Sequence, residues 1–320
     1  MELAKTLSVQ TGARLHFGLL DTVAPFGGLG VMIDQPRTEI CFGPAEEFSP
    51  DPAIADRARP IVRRWADLVG SDGLPELAIE APKVAPAHSG YGSGTQQSLA
   101  IAEGLCNYFG RSFSTEQLAR VVAARGKRSA VGIHGYFRGG LIFEASARHP
   151  DRLNEIQERI AMPETWRVVL FRPVAAAAAV SGERERKQFA QLRDPGNRQR
   201  DRLRTLINDQ LLPAARAADF SAFSDAVQRY NRLAGMLFAD VQGGPYNGPV
   251  VSELIERLDA SGAVGIGQSS WGPGVFAWCI DQKHADALAE TMAAGDLHVQ
   301  ITRVRNEGRR ICRPINARCP

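Results

Sequence analysis

Several things are scarce in this chain, and each scarcity closes off a class of protein. Five cysteines in 320 residues are scattered as Cys41, Cys106, Cys279, Cys312 and Cys319. They form no CxxC pair and no Cys/His spacing suited to zinc. Their odd count argues against a disulfide scaffold, and they read as core or surface fillers. Charge of one sign is also scarce. The net formal charge of +3 is too mild for a nucleic-acid partner, which would call for a concentrated basic patch. No apolar run approaches the length of a membrane span, so no membrane partner is expected. The opening MELAKTLSVQTGARLHFG lacks the apolar stretch of a secretion signal, and a reducing cytoplasm is the expected compartment. No internal repeat or low-complexity region breaks the pattern. What remains is a soluble globular composition, 44% hydrophobic and 23% charged, at a length that suits one large domain or two ordinary ones.

The order of elements predicts an α+β fold, because strand runs and helix runs are grouped and do not alternate strictly. Residues 3–44 read as strands broken by glycine turns. Residues 51–69 carry a helical stripe of Ile54, Ala58, Ile61, Trp65 and Leu68, with Pro60 predicting a kink or two short helices. ELAIEAPKV reads as a strand. Leu99, Ala102, Leu105, Cys106 and Phe109 mark one buried helix face. Ser114–Gln117 is a capping box opening a helix with Leu118, Val121 and Val122 inside. GYFRGGLIFEAS reads as a strand pair, and the polar, proline-bounded stretch 148–164 as a domain boundary. Beyond it come the strand WRVVLFRPV, a helical region over 183–238, a helix from Pro249 to Gly262, strands in GAVGIGQ and GVFAWCI, a helix over 282–294 and the strand HVQITRV.

Three stretches carry chemistry. In PAHSGYGSGTQQ, residues 86–97, three glycines alternate with small or polar residues and a helix follows at once. Such a loop lets backbone N–H groups converge on one concavity, and the helix adds free amides and its positive end. Together they suit a phosphate or diphosphate, with Ser93, Thr95 and Gln96 as further donors. The same loop could equally be a tight strand-to-helix turn that binds nothing. It is neither a Walker loop, since no Gly-Lys-Ser/Thr ends it, nor a dinucleotide fingerprint. In GARLHFGLLD, residues 12–21, Arg14 and His16 share one strand face; the plain alternative is the solvated face of an edge strand. In GIGQSSWGPGVFAW, residues 265–278, Gln268, Ser269, Ser270 and Trp271 sit between glycines, where an ordinary hairpin is the alternative.

Taken in this order, the three stretches resemble the landmarks of the GHMP superfamily of small-molecule kinases, at Gly12–Asp21, Pro86–Gln96 and Gly265–Val275. The resemblance implies a two-domain α+β fold with the ligand cleft between the domains: 1–150 with the phosphate-binding loop, and 165–320. The wording departs from the kinases. In SAVGIHGYFRGG, residues 129–140, the position of the catalytic aspartate of mevalonate-type kinases falls on Gly132, which can neither accept a proton nor steer a metal. RLHFGLLD, HSGYGSGTQ, RGGLIFE, SGERE (181–185) and GQSSWGP are instead similar to the β-ribofuranosylaminobenzene 5′-phosphate synthase branch.

That branch implies attack of 4-aminobenzoate or 4-hydroxybenzoate on phosphoribosyl pyrophosphate, through the ring carbon that bears the carboxylate. Diphosphate and CO2 leave, and the product feeds tetrahydromethanopterin synthesis. No organic cofactor is implied, because the electron-rich ring carries the reaction itself. The roles then expected are these. Arg14 or Arg128, the loop around His88, Gly90, Gly92, Ser93, Gly94, Thr95 and Gln96, and Mg2+ neutralise the diphosphate. Asp21, or failing it Glu183, balances the cationic sugar. Trp271 is the aryl wall beside Gln268, Ser269 and Ser270. His16 or His88 would deprotonate a hydroxyl substrate. A homodimer is implied by resemblance alone. The alternative is an ATP-dependent kinase on the same scaffold, and Gly132 counts against it.

Overall fold

The computed structural model describes residues 6–24, 26–145, 152–174, 187–192 and 194–313. Two sheets form its frame. The first contains β1 (Leu7–Leu19), β2 (Gly28–Gly43), β3 (Ser49–Pro50), β4 (Ala78–Lys83), β5 (Leu141–Ala145), β6 (Glu155–Ile160) and β11 (Arg310–Cys312). They run in the order β11-β1-β2-β4-β3, with β5 paired to β2 and β6 to β5. The second contains β7 (Arg167–Pro173), β8 (Val264–Gln268), β9 (Val275–Cys279) and β10 (Leu297–Arg303), in the order β10-β7-β9-β8. Every pairing is antiparallel except β3 with β4.

The main helices are α1 (Ala55–Val69), α2 (Ser93–Tyr108), α3 (Val131–Arg138), α4 (Asn197–Leu206), α5 (Phe220–Gly235), α6 (Pro249–Ala260) and α7 (Gln282–Thr291). None among the described residues is long and apolar enough to cross a membrane.

One buried core spans both sheets. Leu15, Phe17, Leu29 and Val31 of the first sheet pack with Phe276 and Trp278 of the second, with Trp166 just before β7, and with Phe223 and Tyr230 of α5. Trp278 meets Phe223 edge-on at 4.9 Å between ring centroids, a favoured geometry for aromatic pairs. Continuous apolar packing of this kind fixes the two sheets relative to each other, and with them any groove along the junction.

Some local expectations are corrected. Pro60 lies inside a single helix, α1. GYFR belongs to α3, and only LIFEA is a strand. Tyr136 and Phe137 suit a strand, but Gly135 sits where a Cβ would run into Met32 of β2, so a helix with a bare face fits against the sheet. The partner of β5 is β6, drawn from the polar stretch 148–164. The Ser114–Gln117 capping box forms reciprocally, at 3.1 and 3.2 Å. It opens into a π-helical turn, however, so Leu118, Ala119 and Val122 are buried while Val121 is exposed. Cys312 is disulfide-bonded, whereas Cys41, Cys106 and Cys279 are free thiols.

Candidate active site

The three motif stretches, far apart in sequence, are stitched together. The Ser269 hydroxyl accepts the His16 N–H at 3.0 Å and donates to the Gly90 carbonyl at 2.8 Å. The Ser270 N–H donates to the His16 carbonyl at 3.2 Å, and the Arg14 N–H to the Tyr91 carbonyl at 2.9 Å. Gly90 has φ +87°, and a Cβ there would collide with the Ser269 carbonyl, so glycine is required at this crossing. Tyr91 is buried and its hydroxyl donates to the Phe171 carbonyl at 3.3 Å, tying the loop to the second sheet. Asn231 of α5 closes the other side. Its amide donates to the Phe17 and Gln268 carbonyls, both at 2.8 Å, and its oxygen accepts the Gln268 N–H at 2.9 Å.

Between the stitched strands lies a cavity of about 540 Å³, within the ~300–1,000 Å³ range of small-molecule sites. Arg14, His16, Thr95, Arg128, Gln268, Ser270 and Trp271, all expected from the sequence, line it. So do Arg125, Lys127 and Ser129 from the loop before α3. The wall therefore carries four cationic side chains and, among the described residues, no carboxylate. Phe189, Phe238 and Trp271 form a second part of the wall, with ring centroids 4.9 to 6.0 Å apart and edge-on geometry. The Arg128 guanidinium lies 4.1 Å over the Phe189 ring, a cation–π contact joining the two parts.

From the first turn of helix α2, Thr95 reaches this cavity. Its N-cap is Gly92 in the left-handed conformation, with no side-chain cap. Gly132, where the resemblance puts the kinase aspartate, borders the same residues: a Cβ there would lie 3.5 Å from both Arg14 Nε and Thr95 Cγ2.

Other expected residues are placed elsewhere. Gln96 is fully buried, accepting the Thr11 hydroxyl at 2.7 Å and donating to the Gly132 carbonyl at 2.8 Å. Both ends of its amide are used within the protein, and it serves as a brace between β1, α2 and α3. Ser269 is fully buried and acts as the clasp already described. Ser93 is buried and outside the cavity lining. Gly94 lies beside Arg57 and Arg125, 3.2 Å and 3.5 Å from a built Cβ.

His88 is exposed and lines a different cavity, also about 540 Å³, with Arg57, Arg64 and Arg125. Asp21 does not line the central cavity. Its carboxylate is gripped by Arg200 of α4 through both oxygens, one at 3.2 Å, and also accepts the Val23 N–H at 3.0 Å. Glu183 lies outside the described residues.

Behind the cavity wall is a group that sequence reading passed over. Glu144 of β5 is fully buried. Its carboxylate accepts the Ala130 N–H at 2.8 Å and the Asn154 amide at 3.3 Å, and it is hydrogen-bonded to the Ser129 side chain. Burial pushes the carboxyl up to about 7, against the opposing pull of these hydrogen bonds and of Arg14. Ser129 in turn stands 3.1 Å from His16 Nε2. Burial, and then the Arg14 charge, hold the His16 imidazole well below the usual histidine range, so it is neutral near pH 7. The missed signals were Arg125, Lys127 and Ser129, which stand with Arg128 around a glycine just before a helix, and a lone acid at the end of the apolar run LIFE.

Known proteins resemble this chain in sequence and in fold. The family described as GHMP kinases N terminal domain matches residues 59–138, and GHMP kinases C terminal matches residues 211–295. The chain is 28% identical to a beta-ribofuranosylphenol 5'-phosphate synthase of Methanothermobacter thermautotrophicus, over 94% of this chain and 97% of that one. It is 26% identical to a synthase of the same name from Archaeoglobus fulgidus, over 94% and 98%. Among solved structures, a homoserine kinase from Cytophaga hutchinsonii superposes with a TM-score of 0.68 at 15% identity, covering 96% of this chain and 97% of that one. A mevalonate diphosphate decarboxylase from Staphylococcus aureus does so with 0.66 at 12%, covering 97% and 99%. With both halves of the fold matched and whole-length similarity to the ribofuranosyl synthases, the chain belongs to the GHMP kinase superfamily.

Proposed function

We propose that this chain is a decarboxylating phosphoribosyltransferase that joins phosphoribosyl pyrophosphate to 4-hydroxybenzoate, releasing CO2 and diphosphate. The observation that carries this reading is the composition of the cavity wall: Arg14, Arg125, Lys127 and Arg128 share it with Phe189, Phe238 and Trp271. One substrate is strongly anionic and the other is a flat ring, so a wall divided between cations and aromatic faces matches the pair. The relatives are named for a ribofuranosylphenol product, which favours the hydroxyl over the amino substrate. The place in tetrahydromethanopterin synthesis belongs to the same proposal.

The chemistry follows from these residues. Breaking the bond from the anomeric carbon to diphosphate puts negative charge on the leaving oxygens. Fixed cations and the first-turn amides of α2 stabilise that charge as it develops. The aromatic cluster holds the benzoate flat against the sugar, so two reactants meet as one assembled pair. The described residues include no group of three or more acids, histidines or cysteines that could hold a metal, and the cavity wall carries no carboxylate. A protein-held Mg2+ does not fit the described residues of this wall. Mg2+ enters the proposal only as a counter-ion of the diphosphate, and no step is routed through it.

ATP would find the same phosphate-holding elements, so the kinase alternative turns on Gly132. A side chain there would lie on Arg14 and Thr95, and glycine supplies no base. The test is purified chain with phosphoribosyl pyrophosphate, Mg2+ and each benzoate, following diphosphate and CO2. Release of both in equal amounts is expected. ADP formation from ATP with a small alcohol, without diphosphate release, would overturn the proposal.

A further inference from the structure

We infer that His16, Ser129 and Glu144 form a proton relay that takes the phenolic proton of the aromatic substrate during C–C bond formation and returns it when CO2 leaves. The inference rests on the proposed reaction and assigns to it residues outside the diphosphate site.

The chain of contacts runs from the cavity into the protein. His16 and Ser129 are both lining residues of the cavity. His16 Nε2 is 3.1 Å from the Ser129 oxygen, and Ser129 hydrogen-bonds Glu144. Ser129 is held in place by the Val131 N–H at 3.2 Å, and Glu144 by Ala130 and Asn154. The charged and titratable groups around Glu144 are Arg14 from β1, His16 through Ser129, and Tyr230 from α5.

The proton has a reason to travel the full length. An imidazolium at His16 is penalised twice, by burial and by Arg14, so the proton cannot rest there. Glu144 is destabilised as a carboxylate by burial and accepts a proton near pH 7. The phenol O–H gives its proton to the free imidazole nitrogen, Nε2–H passes to Ser129, and the Ser129 proton passes to Glu144. The electron pair released on the phenol oxygen drives the para ring carbon onto the anomeric carbon. That bond forms as the bond to diphosphate breaks, leaving a cyclohexadienone that carries ribose and carboxylate on one carbon. Loss of CO2 returns its bonding pair to the ring, and the oxygen recovers the proton from the relay. The proton is borrowed, and the overall reaction neither consumes nor releases it. An amino substrate pushes electrons without losing a proton first and needs the relay far less.

Turnover of 4-hydroxybenzoate and 4-aminobenzoate is compared from pH 5.5 to 8.5 for wild type, Glu144→Gln and Ser129→Ala, with melting temperatures. Glu144→Gln removes the proton acceptor, and Ser129→Ala cuts the bridge should Glu144→Gln fail to fold. Both variants are expected to lower kcat for the hydroxyl substrate by about a hundredfold more than for the amino substrate, the scale of one lost general base. Wild-type kcat for the hydroxyl substrate is expected to fall about tenfold per pH unit below about 7, because the carboxylate form is required. That acid limb is expected to vanish in Glu144→Gln. If only the hydroxyl substrate turns over, the acid limb alone decides. Equal losses on both substrates, an acid limb that survives Glu144→Gln, or wild-type turnover of the amino substrate alone would overturn the relay and leave the synthase reading standing. No diphosphate release by wild type with either benzoate would remove that reading, and the relay with it.

Discussion

Replacing Glu144 by glutamine tests the buried carboxyl without any substrate. The substitution keeps size and shape, and its oxygen can still accept the Ala130 N–H. What it removes is the capacity to ionise. In the unfolded chain Glu144 ionises near its ordinary 4.5, and in the folded protein burial moves this to about 7. Between those values the unfolded state has already released a proton that the folded state keeps. The folded state is therefore favoured in full below about 4.5, and that advantage is lost as pH rises through about 7. The gap, 7 − 4.5 = 2.5 pH units, is worth ~3 kcal/mol at ~1.4 kcal/mol per unit.

His16 acts with the opposite sign. Its folded value lies below the usual one, so its contribution rises with pH, but it is present in both proteins and largely cancels in the difference. Urea unfolding of wild type and Glu144→Gln at several pH values from 4.5 to 8 gives that difference directly. The variant is expected to gain ~2–3 kcal/mol on wild type across this interval, whatever fixed offset its altered hydrogen bonds impose. A difference that stays flat with pH would mean that Glu144 ionises normally inside the protein, and the reasoning about its burial would be wrong.

Three further substitutions probe the loop and the turn after β1. Gly90→Ala is expected to destabilise the fold by about 2 kcal/mol or more, because φ is +87° and the backbone of Ser269 blocks a Cβ. Gly94→Ala is expected to fold normally, since its Cβ meets only the ends of Arg57 and Arg125; melting curves that ranked the two the other way would refute the clasp. Asp21→Asn is expected to change kcat by less than about threefold and stability by less than about 1 kcal/mol. Its partner is Arg200 and its turn bond to Val23 can be made by asparagine. A hundredfold fall in kcat at unchanged melting temperature would return Asp21 to the reacting sugar.

The convergence of the three motifs was legible in sequence for a physical reason. Strands seldom carry Arg14 and His16 side by side, and glycines seldom crowd before a helix, unless a ligand or a close backbone crossing requires it. The use made of each polar side chain was not legible. Gln96 and Ser269 looked like ligand donors because they sit in the motif, yet both spend their hydrogen bonds on protein atoms. Asp21 looked like a cleft acid, but Arg200, 179 positions away, claims it. Glu144 read as an ordinary strand residue, because its burial depends on Ser129, Asn154 and α3 closing over it. Satisfaction of polar groups is a property of the assembled fold, and local pattern does not encode it.

The same consideration separates the two chemistries that this scaffold could support. A phosphate-holding loop and helix serve ATP and a sugar diphosphate alike, so the decision falls to the acids. A kinase of the mevalonate type needs a carboxylate where the phosphate meets its acceptor. Here that position is Gly132, and the space is bordered by Arg14 and Thr95. Glu144 is a buried acid behind the wall, joined to it through Ser129. An acid so placed does not line the cavity, but through Ser129 it can exchange a proton with a group bound there. The site therefore offers cations on its wall and a proton acceptor at one remove, a division that suits the proposed attack by a phenol with loss of CO2.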